Sequence, residues 1–303
     1  MIFHENRMSR IFKYFKKLLP LSFKKTFWGV VEFIRCQTLG RISVLPDFII
    51  VGAQKCGTTS LYNYLIRHPN VYASSKKEIG FFNVRYSKGV NWYRAHFPTS
   101  LKYFWINKIR KKPFLTGEAD PEYIINPYAL KRIAKLLPDC KLILILRNPV
   151  DRAYSHYQHA CRFKRGRETL SFDEAIEKEQ ERIGEAWQKM LKDENYQNRN
   201  IPRYSYLTTG VYIDQVQVLL SLFNKEQLLF LNAEDFFDNT EQVFKQVVSF
   251  LGLPNWTPAA FKKHNSCKYA NLNSELRDKL NQYYRLPNTK LYKLLGINFN
   301  WEV

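Results

Sequence analysis

The residues best suited to chemistry stand in DFIIVGAQKCGTTSLYNYL, Asp47 to Leu65. An apolar run, 48–51, enters a turn with glycines at 52 and 57. An amphipathic stretch follows, with Leu61, Tyr64 and Leu65 on one face, so the segment reads as strand, loop and helix. Backbone N–H groups of such a turn at a helix N-terminus bind tetrahedral anions, helped by the helix dipole. The ATP-binding form, G-x-x-x-x-G-K-[ST], places lysine directly after the second glycine and a hydroxyl on Mg²⁺. Here Thr58 stands where that lysine belongs, and Lys55 lies inside the loop. A cation there attends the far side of the bound group, where charge builds on a leaving oxygen. Thr58 and Thr59 add hydroxyl donors. The loop taken alone still ranks ATP chemistry first.

A second constellation changes that ranking. LILILRNPVDRAYSHYQH, Leu142 to His159, delivers Arg147 at the carboxyl end of an apolar strand and Ser155 about two helical turns later. Ligands of open parallel sheets collect at strand carboxyl ends. The pair therefore suits a second phosphate, distinct from the anion in the glycine loop.

The elements that must position these groups alternate from residue 47 onward, which predicts an α/β fold with a central, mostly parallel sheet. Phe114–Glu118 reads as a short strand, a helix begins at Asn126-Pro127 and runs to about Leu137, and Cys140–Leu146 is a buried strand whose helix starts near Pro149. Ser171-x-x-Glu174 and Asn239-x-x-Gln242 have capping-box form. Leu228–Phe236 reads as another strand. A helix after Asn273 extends to about Leu280, and a second pattern ends near Leu295-Gly296. The expected organisation is a catalytic domain, 47–303, behind a basic segment, 1–46.

That segment carries nine Lys/Arg against two Glu. Ile11, Phe15, Leu18 and Leu19 share one helical face opposite Lys13, Lys16 and Lys17, and Phe23, Phe27, Val30, Val31 and Ile34 repeat the arrangement. Two readings stand: helices lying in an anionic bilayer surface, or helices capping the domain. No run approaches the ~20 apolar residues of a membrane span. The five cysteines (36, 56, 140, 161, 267) show no metal-ligand or disulfide spacing, which favours a reducing compartment. The 303 residues hold 47 Lys+Arg and 27 Asp+Glu, a net charge of +20 that predicts an acidic partner.

The chain resembles the sulfotransferases that use 3′-phosphoadenosine 5′-phosphosulfate (PAPS), and among them the heparan sulfate N- and 3-O-sulfotransferase domains and their bacterial relatives. The likeness runs through IIVGAQKCGTTSLYNYLIRHPNV, KKEIGFFN, YSKGVNWYRAHFP, LRNPVDRAYSHYQH and LPNTKLYKLLG…FNW. It implies a three-layer α/β/α P-loop-type fold and sulfuryl transfer from PAPS, with PAP as product and no metal. Lys55, Cys56, Gly57, Thr58, Thr59 and Ser60 match the 5′-phosphosulfate loop, Arg147 and Ser155 the 3′-phosphate pair, and Lys268 a later loop over that phosphate. Glu78 matches the catalytic base. His156 stands where the N-sulfotransferases carry tryptophan beside the adenine, so weaker stacking is expected.

Two departures concern the acceptor: Ala119 replaces a lysine, and Gly80 replaces the histidine of the 3-O type. Trp92, Tyr93, Phe97 and Trp105, interleaved with Arg94, Lys102, Lys108 and Arg110, suit a glycan, although such rings are more often core. The expected acceptor is a carbohydrate hydroxyl or amine, with no nucleic acid partner. The expected place is the cytoplasm, peripheral at the inner membrane face, the alternative being a secretory-pathway lumen. Rival readings are a P-loop kinase or NTPase and a non-catalytic polyanion-binding protein.

Overall fold

The structure, a computed structural model, describes residues 30, 32–162, 168–262 and 272–301. Five strands form one parallel sheet: β1 Phe48–Gly52, β2 Val71–Ala73, β3 Leu115–Ala119, β4 Lys141–Leu146 and β5 Leu228–Asn232, in the order β2-β3-β1-β4-β5. β1 is buried at every position and β4 at all but its first. Unbroken Ile/Val/Leu runs suit strands covered by helices on both faces, as the sequence predicts. The connection leaving β1 runs toward β2, and the one leaving β4 runs the opposite way toward β5. A crevice therefore opens between the carboxyl ends of β1 and β4, where the chain direction switches.

Local signals hold in most places. Asn126 Oδ1 accepts from the N–H groups of Tyr128 and Ala129 and caps Pro127–Leu136. Ser171 and Glu174 form a complete capping box at Phe172–Glu177. Three expectations are corrected. β5 ends at Asn232, whose side chain accepts from Glu234 N, so Ala233–Asp238 is helix rather than strand. Asn239 makes no side-chain cap to Thr240–Leu251, its backbone lying at φ −122°, ψ 50°. The two carboxy-terminal helical patterns are one helix, Ser274–Leu295, which runs through Pro287.

Among the described residues, apolar burial falls into two clusters. The main core surrounds the sheet. A satellite core joins Val150, Ala153 and Ala160 of helix Pro149–Cys161 to Phe172, Ala175, Ile176, Tyr206, Leu280 and Tyr284.

Of the amino-terminal segment, residues 1–29 and 31 lie outside the described residues, among them Ile11–Leu19, Phe23, Phe27 and Val31. Residues 32–46 bond to the 75–99 region. Arg35 donates to Ala95 O (2.6 Å) and Ser75 Oγ (3.0 Å), Trp92 Nε1 to Glu32, and Arg94 Nε to Ser43 O (2.6 Å). Trp92, Tyr93 and Phe97 are core residues, whereas Trp105 is exposed. No helix of the described residues is long and apolar enough to cross a membrane.

Candidate active site

A cleft of about 1350 Å³ opens at the carboxyl ends of the strands. Lys55, Gly57, Thr58, Thr59 and Ser60 line it from the β1 side, Arg147 and Ser155 from the β4 side, and Glu78 from the β3 side. Lys55 and Ser155, 100 residues apart in the chain, thus meet in one cavity.

The β1 loop is built largely by its backbone. Ala53 N–H donates to Ile145 O of β4 (2.9 Å), which stitches the loop to the sheet. Gly57 has φ +96° directly before helix Thr58–Leu65, and a Cβ there would press on the rings of Phe236 and Phe237 at 3.0–3.2 Å. Lys55 sits at φ +71°, a conformation that costs a non-glycine residue on the order of 1–3 kcal/mol and tends to mark functional turns. Cys56 is corrected: its thiol is buried in the core against Tyr212 Oη (4.0 Å) and Gln54 O (3.7 Å), and its N–H is taken by Ala53 O. Burial pushes that thiol up to about 11, so it is neutral and takes no part in lining the cleft.

Arg147 leaves β4 with its guanidinium 5.5 Å from the Phe237 ring centre and one N–H directed at Lys55 O (3.4 Å). Tyr212 Oη donates to Arg147 O (3.0 Å) and fixes the backbone there. Asn148 caps helix Pro149–Cys161 by accepting from Val150 N and Asp151 N. Its own N–H donates to Glu234 Oε1 (3.0 Å) and its amide to Trp301 O (3.2 Å), while Trp301 Nε1 donates to Glu234 Oε2 (3.1 Å). The turn that aims Arg147 is therefore tied to the carboxy-terminal residues. Eight residues after Arg147, Ser155 faces the cleft. His156 lines the cleft but is only 2% exposed and lies edge-on to Tyr206, centroids 4.9 Å apart, so little of its ring is open for stacking. Burial, then the charges of Arg152 and Lys55, lower its pKa well below the ordinary imidazole value and keep it neutral.

Glu78 rides on a strap pinned to β3. Its N–H donates to Ala119 O (3.1 Å), Gly80 N–H to Asp120 Oδ2 (2.9 Å) and Phe81 N–H to Tyr123 Oη (3.0 Å). Glu78 itself is at φ +58°, with its exposed carboxylate paired to Lys77 Nζ. Lys76 is solvent-exposed. Beneath the strap lie further carboxyls. Glu118, which accepts from Tyr93 Oη (2.5 Å) and Tyr123 Oη (3.2 Å), is pushed up to about 8 by burial and then by the charge of Asp120. Burial raises Asp120 to about 6, and raises the cleft-lining Glu122 to about 7 with the charges of Asp120 and Glu78 adding to it. At the first departure, Ala119 is fully buried in β3. At the second, Gly80 has φ +70° and a Cβ would meet Arg85 Nη1 at 2.4 Å. Arg85 fills that space and donates to Ile79 O (2.6 Å).

Sequence reasoning missed Arg85, Glu122, Phe237 and the wall formed by 197–199, Pro202 and Arg203. The wall comes from DENYQNRNIPR, a polar stretch without periodicity, so nothing local marks it. Lys268 lies outside the described residues.

Residues 45–291 match the sulfotransferase domain family. The chain is 29% identical to the membrane-associated sulfotransferase kil1 of Dictyostelium discoideum, covering 87% of this chain and 68% of that one. It is 32% identical to the human bifunctional heparan sulfate N-deacetylase/N-sulfotransferase 3, covering 83% of this chain but only 30% of the larger protein. Among solved structures, a sulfotransferase from Alicyclobacillus acidocaldarius superposes with a TM-score of 0.64 at 32% identity, over 84% of this chain and 96% of the other.

Proposed function

The chain belongs to the sulfotransferase domain family and is an enzyme of that class, and from this premise we propose that it moves a sulfuryl group from PAPS to a carbohydrate hydroxyl or amine. The observation that carries the reading is the sharing of one cleft by the Lys55 loop, the Arg147–Ser155 pair and Glu78. Two separated cationic and hydroxyl-bearing grips suit a nucleotide with an anion at each end. ATP lacks the 3′-phosphate that would occupy the second grip.

In this proposal the loop N–H groups, Thr58, Thr59 and Ser60 hold the 5′ end of the donor, and Arg147 with Ser155 holds the 3′-phosphate. Lys268 is assigned to the same phosphate on resemblance alone. The acceptor oxygen or nitrogen attacks sulfur in line. The bond from sulfur to the bridging phosphate oxygen breaks as the new bond forms, and PAP leaves. Lys55 stabilises the charge on that departing oxygen, and the Glu78 carboxylate accepts the acceptor's proton. Fixing donor and acceptor in one cavity removes much of the entropic barrier. The heparan sulfate named for the human relative supports a glycan acceptor. The membrane association named for the Dictyostelium relative supports a peripheral place at a membrane, with residues 1–46 as the contacting segment.

Purified protein incubated with labelled PAPS and a glycan panel is expected to give sulfated product, in chelator as well as without. Turnover of ATP with Mg²⁺ in place of that product would make it a P-loop kinase. Calorimetry supplies the second arm: 3′,5′-ADP should bind saturably, 5′-AMP much more weakly, and Arg147→Ala should abolish the difference. A polyanion-binding surface alone would not separate the two nucleotides.

A further inference from the structure

Residues 100–112, SLKYFWINKIRKK, form a short helix, Ser100–Phe104, continued by the π-helical turn Trp105–Ile109. Its polarity is inverted. Tyr103 packs on Phe114 and Ile106 is buried, so those residues anchor the element to the fold. The opposite face carries Leu101, Phe104, Trp105 and Ile109, spaced by three and four residues, and their exposures run from 52% to 75%. An amphipathic element of a water-soluble surface turns its apolar side inward. Here that side faces out.

The surroundings supply charge of one sign. Lys102, Lys108, Arg110, Lys111 and Lys112 are all exposed, and 100–112 contains no Asp or Glu. The antiparallel bridge Ser43–Thr99 and the bond from Val44 N–H to Pro98 O (2.9 Å) bring a second element to the same edge. Helix Leu39–Ile42 ends at that bridge, with Leu39 41% and Ile42 50% exposed. None of these residues lines the cleft.

We infer that this edge is a docking surface for an anionic lipid bilayer, inserted through Leu101, Phe104, Trp105 and Ile109 and held by the five flanking cations. Bulky apolar and aromatic side chains flanked by lysine and arginine match the headgroup boundary, where rings sit among headgroups and cations meet lipid phosphates. A protein partner would need acidic groups placed against cations fanned around an apolar ridge, whereas a bilayer presents apolar depth and negative surface together. The surface is additional to the basic amino-terminal segment proposed above as the membrane contact.

The full chain should partition onto vesicles of equimolar phosphatidylcholine and phosphatidylserine far better than onto phosphatidylcholine alone. Hydrogen exchange of residues 100–112 should slow only with the mixed vesicles. Leu101→Ser with Phe104→Ser should lower that partition about tenfold or more while leaving sulfuryl transfer to a soluble acceptor intact. Lys108→Glu with Lys111→Glu, at exposed positions, should weaken it without touching the core. Unchanged partition of both variants would assign the binding to the amino-terminal segment and overturn the inference. So would protection of 100–112 that appears with rising protein concentration in the absence of lipid, which would mark a contact between copies, or protection produced equally by soluble polyphosphate.

Discussion

The glycine loop and the Glu78 strap rest on β1, β3 and β4, inside the main core, whereas the Ser155 face of helix Pro149–Cys161 rests on the satellite core and a set of long-range polar bonds. The first end is held by sheet backbone and apolar burial, with bonds such as Ala53 N–H to Ile145 O and Glu78 N–H to Ala119 O. At the second, fully buried Arg152 donates to Tyr206 O, and Glu168 accepts from Arg182 (2.6 Å) and from Tyr206 Oη (2.9 Å). Glu179 accepts from Leu207 N, Thr208 N and Thr208 Oγ1 at 2.6–2.8 Å. The difference separates two jobs. The sheet end carries the groups assigned to bond making and breaking, together with Arg147 and the loop that holds the donor's 5′ end, and the polar satellite end carries Ser155 of the 3′-phosphate grip.

Substitutions at the sheet end should strike the chemical step and spare stability. Lys55→Ala is expected to lower kcat by about 10²–10³-fold, the usual loss when one stabiliser of developing charge is removed. Its melting temperature should stay within a degree or so of the parent, because the side chain lines the cleft and leaves the core intact. Steady-state kinetics with saturating donor would read this. A loss confined to donor KM would break the proposed division of labour.

Glu168→Ala tests the other side. Burial opposes ionisation of this carboxyl, but Arg182 and the hydrogen bonds outweigh it and hold its pKa below the ordinary value. Removing it strips Arg182 and Tyr206 of a shared buried acceptor, a change worth roughly 3 kcal/mol. The melting temperature should fall by several degrees and donor KM should rise, with kcat at saturating donor nearly kept. Ser155→Ala is the milder probe of the same end. Losing one hydroxyl from the grip should raise donor KM about tenfold without moving the melting temperature. A fall in kcat from either variant would mean that the ends are not separable.

The same contrast explains what was legible in the amino-acid sequence. Strand β1, the loop at 52–57 and strand β4 announce themselves because burial on both faces demands unbroken apolar runs and a left-handed turn demands glycine. Arg147 and Ser155 follow from their place after β4. Glu78 was reached only through resemblance, since a glutamate in a short loop has no local signature and its position depends on β3, some 40 residues away. Arg85, Glu122 and the 197–203 wall lie beyond local reading for the same reason. The turned-in thiol of Cys56 and the edge-on ring of His156 are decided by neighbours, Tyr212 and Tyr206, that sequence spacing cannot bring near. Misreading 233–236 as strand came from apolar residues after β5 whose helix is set by the Asn232 cap.

At the sheet end, the carboxyl beneath the strap makes stability depend on pH. Glu118 is fully buried at the sheet end, and its pKa of about 8 lies above the 4.5 of an unperturbed glutamate, chiefly through burial. Between those values the folded protein keeps a proton that the unfolded chain releases. The carboxyl is therefore neutral and harmless to stability below about pH 4.5. As pH rises through the window toward 8 the folded state loses ground, by at most about 1.4 kcal/mol per pH unit for one proton. Glu118→Gln keeps an acceptor for Tyr93 and Tyr123 and has no proton to release. Its melting temperature should overtake that of the parent as pH is raised from 5 to 8, with the gap growing steadily. Parallel curves for the two proteins would mean that Glu118 is ionised in the fold, and the sheet end would then hold a buried charge, as the satellite end does at Glu168.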